Sequence, residues 1–342
     1  MSRNVVFMGT PDFAVGTLEA LIASDGYRVT AVFSQPDKPK GRSKTLQAPP
    51  VKETALAAGI PVFQPVRIRE PEWLLKLQEL QPDVIVVVAF GQIIPQAILD
   101  LPKYGCINVH ASLLPMYRGA APIQWAVING DRESGVTTMR MDAGLDTGDM
   151  IMTEKVTLAP DETGGSLFDR LSDVGAKLLI RTLDAVFDGT AQYVKQPAES
   201  PTPYASMLTK QDGEVDWTQS AAQIECRIRG LDPWPGTWTK YRGRTLKLWK
   251  AQAEPADGTD AACAGITDRA AADGTGVHGT DAACGTCAAP GTVVEVTKTT
   301  LKVRTGQGIL SVLELQPEGK KRMDVASYLR GNAVAAGDVL GS

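Results

Sequence analysis

Asn108 and His110 stand two residues apart in the run Cys106-Ile107-Asn108-Val109-His110. An extended segment sends alternate side chains to opposite faces, so Cys106, Asn108 and His110 share one face and Ile107 and Val109 the other. That puts an amide and an imidazole side by side at a strand end. An amide can donate a hydrogen bond to a carbonyl oxygen as it turns negative, and an imidazole can move a proton near neutral pH. The chain has two histidines, and the second, His278, lies in a low-complexity stretch. Chemistry that needs an imidazole therefore points to His110. The alternative for His110 is a hydrogen-bonded structural residue, and position alone does not choose.

A carboxylate source lies downstream in Asp142-Ala143-Gly144-Leu145-Asp146-Thr147-Gly148-Asp149. Asp and Gly are turn residues, so this can be a plain turn. It can equally carry one carboxylate over the neighbouring strand ends toward His110. No further His or Cys stands nearby at a metal-ligand spacing, so no metal is expected here. An amide, an imidazole and a carboxylate without an activated nucleophile suit direct acyl transfer to an amine, such as attack on a formyl carbonyl. Asn108 would steady the oxygen, and protonated His110 would donate to it or to the leaving nitrogen. A carboxylate beside His110 would favour the imidazolium and accept the amine proton, directly or through water. Cys106 is on the same face and offers a covalent alternative. A small buried thiol is the other reading, since Cys is among the most buried residue types.

The elements that must position these groups read as a doubly wound α/β domain. A strand at 4–8 turns at Gly9, with Asp12 as cap of a helix over 13–23. There follow strand 28–34, helices 51–58 and 70–80, strand 83–89, strand 106–110, helix 120–129 and strand 135–141. Strands alternating with helices predict a Rossmann-like parallel sheet with helices on both faces, and ligands bind such sheets outside the carboxyl ends of the strands. The first turn, Gly9-Thr10-Pro11-Asp12-Phe13-Ala14, has one glycine where a dinucleotide fingerprint wants three, which argues against a nicotinamide dehydrogenase. A long amphipathic helix over 164–188 closes the catalytic domain, placed at 1–189. The segment 190–206 carries Pro197, Pro201 and Pro203 and reads as a linker.

The remainder, 207–342, changes character: a helix at 218–230, then strands at 237–241, 245–250, 291–296, 300–304 and 309–315. Short strands with Gly-rich turns predict a small β-barrel, of OB-like kind. An insertion at 253–290 is rich in Ala, Gly, Asp and Thr, and the hexamer Gly-Thr-Asp-Ala-Ala-Cys occurs in it at 258–263 and again at 279–284. We expect a mobile, dispensable excursion. A zinc site built on Cys284 and Cys287 with two further ligands, drawn from a stretch that also holds Cys263 and His278, is the alternative, but it lacks an apolar framework.

The 342 residues are 43% hydrophobic and 22% charged, ordinary for a globular chain of about two domains. No apolar run approaches the roughly 18–20 residues of a membrane span. The start passes too quickly into Val5-Val6-Phe7-Met8 for a signal peptide. The five cysteines make no secreted-type framework, which fits a reducing cytoplasm. Nothing argues for an oligomer, so a monomer is the default. With a net charge of −4, nucleic acid would have to be met by local basic patches. One is the run 38–52, with Lys38, Lys40, Arg42, Lys44 and Lys52 and no acid. Another is 240–250, where Lys240, Arg242, Arg244, Lys247 and Lys250 interleave with Tyr241 and Trp249; Lys320-Lys321-Arg322 adds to it. Each is either a solvated surface or a phosphate-contacting one.

Longer motifs sharpen this. Asn108-Val109-His110-Ala111-Ser112-Leu113-Leu114-Pro115, Tyr117-Arg118-Gly119-Ala120-Ala121-Pro122-Ile123-Gln124-Trp125 and Asp142 through Asp149 together resemble the signature of the folate-dependent formyltransferases. Gly9 through Phe13, Lys38-Pro39-Lys40-Gly41-Arg42 and Pro233-Trp234-Pro235-Gly236 narrow the resemblance to members that act on methionyl-tRNA. It covers the chain apart from 253–290. It implies formyl transfer from 10-formyltetrahydrofolate, as co-substrate and without a metal, to the α-amino group of methionyl initiator tRNA. It further implies Asn108, His110 and Asp146 as the catalytic trio. Ser112, Leu113, Leu114 and Pro115 become the folate-binding segment, and Lys38, Lys40, Arg42 and Lys44 the arm that probes the tRNA acceptor end. The C-terminal domain would supply a further tRNA surface. Two rivals remain: a sister formyltransferase acting on an amino-sugar nucleotide, and an inert tRNA-binding relative. The cationic loop argues against the first and the intact trio against the second.

Overall fold

A computed structural model describes residues 2–40, 45–254 and 288–341. The chain divides into two compact units: 1–126, 131–160 and 165–207 form the first, and 127–130, 161–164 and 208–342 the second.

The first unit is built on strands β1 (Arg3–Gly9), β2 (Tyr27–Phe33), β5 (Val62–Phe63), β6 (Val84–Val88), β7 (Cys106–His110), β8 (Glu133–Arg140) and β9 (Asp149–Thr157). A separate two-stranded ribbon pairs β3 (Lys38–Lys40) with β4 (Thr45–Gln47). The seven-stranded sheet runs β5-β2-β1-β6-β7-β8-β9. Pairs from β5 to β7 are parallel. The β7–β8 and β8–β9 pairs are antiparallel, which corrects the all-parallel expectation. For β8–β9 the cause is local: β9 follows β8 after a short loop, a hairpin connection, whereas a parallel neighbour needs a long crossover. The sequence reading had no strand at β9.

Helices α1 (Val15–Ile22), α2 (Pro50–Ala57), α3 (Pro71–Leu80), α4 (Gln96–Leu99), α5 (Pro122–Ile128) and α6 (Gly164–Asp188) accompany this sheet. Proline takes the first helical position in α2 and α3, where its missing N–H costs nothing, and it sharpens the starts expected one residue earlier or later. Asp12 does not cap α1. It opens a 3-10 turn over Asp12–Ala14, and Ala14 precedes the helix with no side-chain cap. Val6, Met8, Phe33, Ile85, Val87 and Cys106 bury one face of the sheet in a common core. β6 is buried at all five positions, as a strand covered on both faces should be.

Residues 190–206 are not a free linker. Val194 bridges Met150, Ala205 bridges Gly119, and Gln196 and Ala205 are buried within the first unit. Proline excluded regular structure there, yet the backbone groups found partners across loops.

In the second unit, helix α7 (Ala221–Gly230) starts where Ser220 and Gln223 form a capping box, three residues later than the apolar pattern suggested. Strands β10 (Thr237–Tyr241), β11 (Arg244–Glu254), β12 (Val293–Val296), β13 (Leu301–Arg304) and β14 (Ile309–Pro317) pair antiparallel in the order β10-β11-β14-β13-β12. β15 (Met323–Asp324) pairs with β14 and leads into α8 (Val325–Gly331). Leu246, Leu248, Val303, Leu310, Val312 and Leu315 form its core with Ile224 and Ile228 of α7. Segment 337–341 joins the two ends of this sheet: Val293 N donates to the Asp338 carbonyl and Gly337 N to that of Val293 beside β12, and Gly341 N donates to the Lys240 carbonyl of β10, as the expected small barrel requires. Most of the expected insertion, with Cys263, His278, Cys284 and Cys287, lies outside the described residues, as do Arg42 and Lys44.

Candidate active site

β7 ends where its backbone leaves the sheet at Ala111. Asn108 and His110 are 9% and 6% exposed, and both line a cavity of about 680 Å³ in the first unit. That volume is in the range of small-molecule sites. Asp146 lines it too. Its Oδ1 lies 3.4 Å from Asn108 Nδ2 and 3.7 Å from His110 Nδ1, and its Oδ2 accepts from the Gly119 N–H at 2.9 Å. Alternation along the strand thus delivered the amide and imidazole, and the loop after β8 delivered the carboxylate.

The backbone around the trio decides the state of the ring. His110 Nε2 is 3.0 Å from the Tyr117 carbonyl oxygen. A carbonyl only accepts, so Nε2 carries a hydrogen and Nδ1 is the nitrogen left to exchange a proton beside Asp146. Gly119 has φ +129, and a Cβ there would stand 2.6 Å from the Ala205 carbonyl oxygen. Only glycine permits that approach, and its N–H is then aimed at Asp146.

Of the three loop carboxylates the fold selects one. Asp142 Oδ1 accepts from the Gly144 N–H and the Thr147 hydroxyl, and so holds the turn itself. Asp149 begins β9. Asp146 sits between them with φ +56, a left-handed backbone that a non-glycine residue adopts only when its surroundings hold it. Its carbonyl oxygen accepts from Gln196 Nε2 at 3.0 Å, and Gly148's accepts from the same nitrogen at 2.7 Å.

Cys106 is not a nucleophile. It is buried in the core, its thiol points at the Ile98 carbonyl oxygen 3.7 Å away, and burial pushes its pKa up to about 12. A buried thiol with no base is inert.

Ser112 through Pro115 do not line this cavity. Ser112 and Leu114 are buried. The Ser112 hydroxyl donates to the Met116 carbonyl oxygen, its own carbonyl accepts from the Thr137 hydroxyl, and Leu114 N donates to that same hydroxyl. The segment turns the chain back over β8 through this chain of bonds. The cavity walls come from residues the sequence reading passed over: Phe90, Ile93 and Ile94 after β6, Met139 and Met141 around the end of β8, and Tyr204. Apolar residues at strand ends carry no signal of their own. The one usable hint was that loops following adjacent strand ends converge in such sheets.

Lys38 begins β3 and is exposed. In the second unit Leu246 and Leu248 point inward while the cations beside them alternate outward. Lys240 lies over Trp238, and Lys247 and Arg322 lie over Trp249, at 5.7, 5.4 and 5.2 Å from the ring centroids. Lys320 and Lys321 are exposed. Among the described residues no cluster of three His, Cys, Asp or Glu could hold a metal ion, and no helix is long and apolar enough to cross a membrane.

Known proteins share this architecture and sequence. Residues 2–183 match the family described as formyl transferase, and 207–333 match the formyl transferase C-terminal domain. The chain is 54% identical over 334 residues to the methionyl-tRNA formyltransferase of Agathobacter rectalis, covering 98% of both chains. It is 53% identical over 338 residues to the methionyl-tRNA formyltransferase of Lachnospira eligens, covering 99% of both. Among solved structures, an N-formyltransferase from Helicobacter canadensis, in complex with folinic acid and dTDP-3-aminofucose, superposes with a TM-score of 0.62 at 16% identity. The match covers 94% of this chain and all of that one, and at such identity the likeness is one of fold.

Proposed function

The chain belongs to the formyl transferase family, and on that premise we propose that it transfers a formyl group from 10-formyltetrahydrofolate to the α-amino group of methionyl initiator tRNA, for translation initiation. The observation that carries this reading is the meeting of Asn108, His110 and Asp146 at one cavity. The length and level of identity to methionyl-tRNA formyltransferases support the choice of acceptor.

In this reading the amine attacks the formyl carbon, a new C–N bond forms, and the bond to N10 of the folate breaks. One proton leaves the amine and one reaches N10. Asn108 Nδ2 donates to the formyl oxygen as it becomes negative, a contact worth about 10²–10³ in rate for a single donor. Asp146 takes the amine proton, and His110 Nδ1, the nitrogen not committed to Tyr117, relays a proton toward N10. Burial of Asn108 and His110 keeps bulk water from screening these interactions.

The folate ring suits the apolar walls of the same cavity, Phe90, Ile94, Met139 and Met141. Ser112, Leu113, Leu114 and Pro115 stay the proposed folate-binding segment, with these walls as a further proposed contact, and the bonds of Ser112 hold the loop that follows His110. Lys38, Lys40, Arg42 and Lys44 remain the proposed tRNA arm, supported by a run of cations without an acid. The aromatic and cationic face of β10 and β11 is a second proposed tRNA contact. Initiator tRNA as substrate implies a cytoplasmic enzyme. An amino-sugar nucleotide acceptor is the competing reading.

The test is labelled formyl transfer to methionyl initiator tRNA, with methionyl elongator tRNA and an amino-sugar nucleotide alongside. Transfer to the initiator alone is expected. Transfer to the sugar and not the tRNA would overturn the assignment of acceptor.

A further inference from the structure

We propose that Gln196 is a positioning residue for Asp146, held in turn by Arg118, and that this pair sets the carboxylate against the imidazole. The activity readout below rests on the formyl-transfer reading; the proposal itself rests on geometry.

Gln196 is 6% exposed and every polar atom of its side chain is used. Its Nε2 donates to the carbonyl oxygens of Asp146 and Gly148 at 3.0 and 2.7 Å. Its Oε1 accepts from Arg118 Nε and Nη2 at 3.0 and 2.9 Å. Arg118, 7% exposed, also donates to the carbonyl oxygens of Pro197 and Ala198. All four of these donated bonds end on uncharged oxygens, two on the Gln196 side chain and two on backbone carbonyls.

The position of Arg118 in the chain makes this more than packing. Tyr117, just before it, offers the carbonyl that accepts from His110 Nε2. Gly119, just after it, offers the N–H that binds Asp146 Oδ2. One side chain thus reaches, through Gln196, the backbone of Asp146, while its two neighbours hold the ring and the carboxylate directly. Ala205 N closes the circuit by donating to the Arg118 carbonyl at 2.8 Å. Asp146 needs such a hold because its φ of +56 is otherwise unfavourable.

The chemistry demands an amide at position 196. Glutamate would accept from Arg118 but could not donate to the two carbonyls. Methionine would fill the space and do neither. Gln196→Glu and Gln196→Met should each lower kcat for methionyl-tRNA formylation about 10²-fold, as a misplaced catalytic group does, while KM for both substrates stays within about threefold. Thr182→Val is the control. It removes a buried hydrogen bond between Thr182 of α6 and Thr138 of β8, neither of which lines the cavity, and should lower Tm without lowering kcat. Gln196→Glu keeps the Arg118 contact and carries the test if Gln196→Met does not fold.

A second readout needs no turnover. With only two histidines in the chain, the ring nitrogen resonances of His110 are easily assigned. They should move in Gln196→Glu and stay in place in Thr182→Val. Wild-type kcat in the Gln196 variants, a loss that matches only the unfolded fraction, or unmoved His110 resonances would overturn the proposal. A wild-type protein that formylates no tRNA would instead overturn the formyl-transfer reading, and the resonance result would still decide the role of Gln196.

Discussion

Asp146 in the first unit and Asp338 in the second each face a ring-bearing side chain and a backbone N–H, and they serve different ends. Asp338 Oδ2 accepts from the Tyr241 hydroxyl at 2.8 Å, the Ala335 N–H at 2.9 Å and Arg242 Nη2 at 3.2 Å. Those donors, the Ala335 N–H foremost, hold its carboxyl below the usual carboxylate range. Asp146 has one close donor, the Gly119 N–H, on Oδ2. Its Oδ1 keeps longer contacts of 3.4 and 3.7 Å and borders a cavity. A carboxylate whose donors are close and complete stabilises a fold. One held by its backbone, with an oxygen left toward open space, is free to take a proton from a substrate. Both main chains are held by hydrogen bonds, so the difference lies in the side chains: three donors within 3.2 Å on Asp338 Oδ2 against one close donor on Asp146.

Substitutions that attack the two sites should separate along that line. The largest effect is expected at the ring: His110→Ala should lower kcat about 10³–10⁴-fold, at the upper end of general acid–base contributions, with a small change in Tm. A near-wild-type rate would remove His110 from the chemistry. Asn108→Ala should cost about 10²–10³ in kcat and leave binding of the formyl donor within a few fold, checked by steady-state kinetics and a direct titration. Arg42→Ala should weaken tRNA use about tenfold or less, flatten its salt dependence by about one counterion, and spare folate binding. Loss of folate affinity in its place would refute the arm.

The smallest effect is expected at the second unit, and it should appear only in stability. Burial, aided by the Asp338 hydrogen bond, raises the Tyr241 pKa from its ordinary value of 10 to about 12. The folded protein therefore keeps this proton at pH values where the unfolded chain releases it. The resulting stability is fully present below about pH 10 and is lost as pH rises through about 12. Tyr241→Phe should narrow the fall in Tm between about pH 8 and about pH 11, with kcat unchanged. An unaltered alkaline slope would show that the Tyr241–Asp338 bond carries no linkage.

Much of this was legible in the residues alone. The strand over Cys106–His110 and the helix over Gly164–Asp188 were placed by periodicity at the ends they have in the structure. Alternation put Asn108 and His110 on one face. Other features had no local signature. β9 pairs antiparallel with β8, an arrangement that its own alternation does not report. Ser112 and Leu114 are buried because Thr137 on the next strand takes up both Ser112 O and Leu114 N, a pairing their own stretch does not report.

The sequence by itself determined which chemical groups were at hand and which side of their own element they occupy, since both follow from residue type and a backbone period of 2 or 3.6. The resemblance singled out Asp146, but only the tertiary structure set its Oδ1 near Asn108 and His110, committed His110 Nε2 to the Tyr117 carbonyl, and brought Gln196 and Arg118 together across 78 residues of chain. Those choices depend on distances between segments far apart in sequence. Such distances arise from strand register, the close approach that Gly119 permits, and the requirement that each buried donor find an acceptor. None of these is a property of any local stretch.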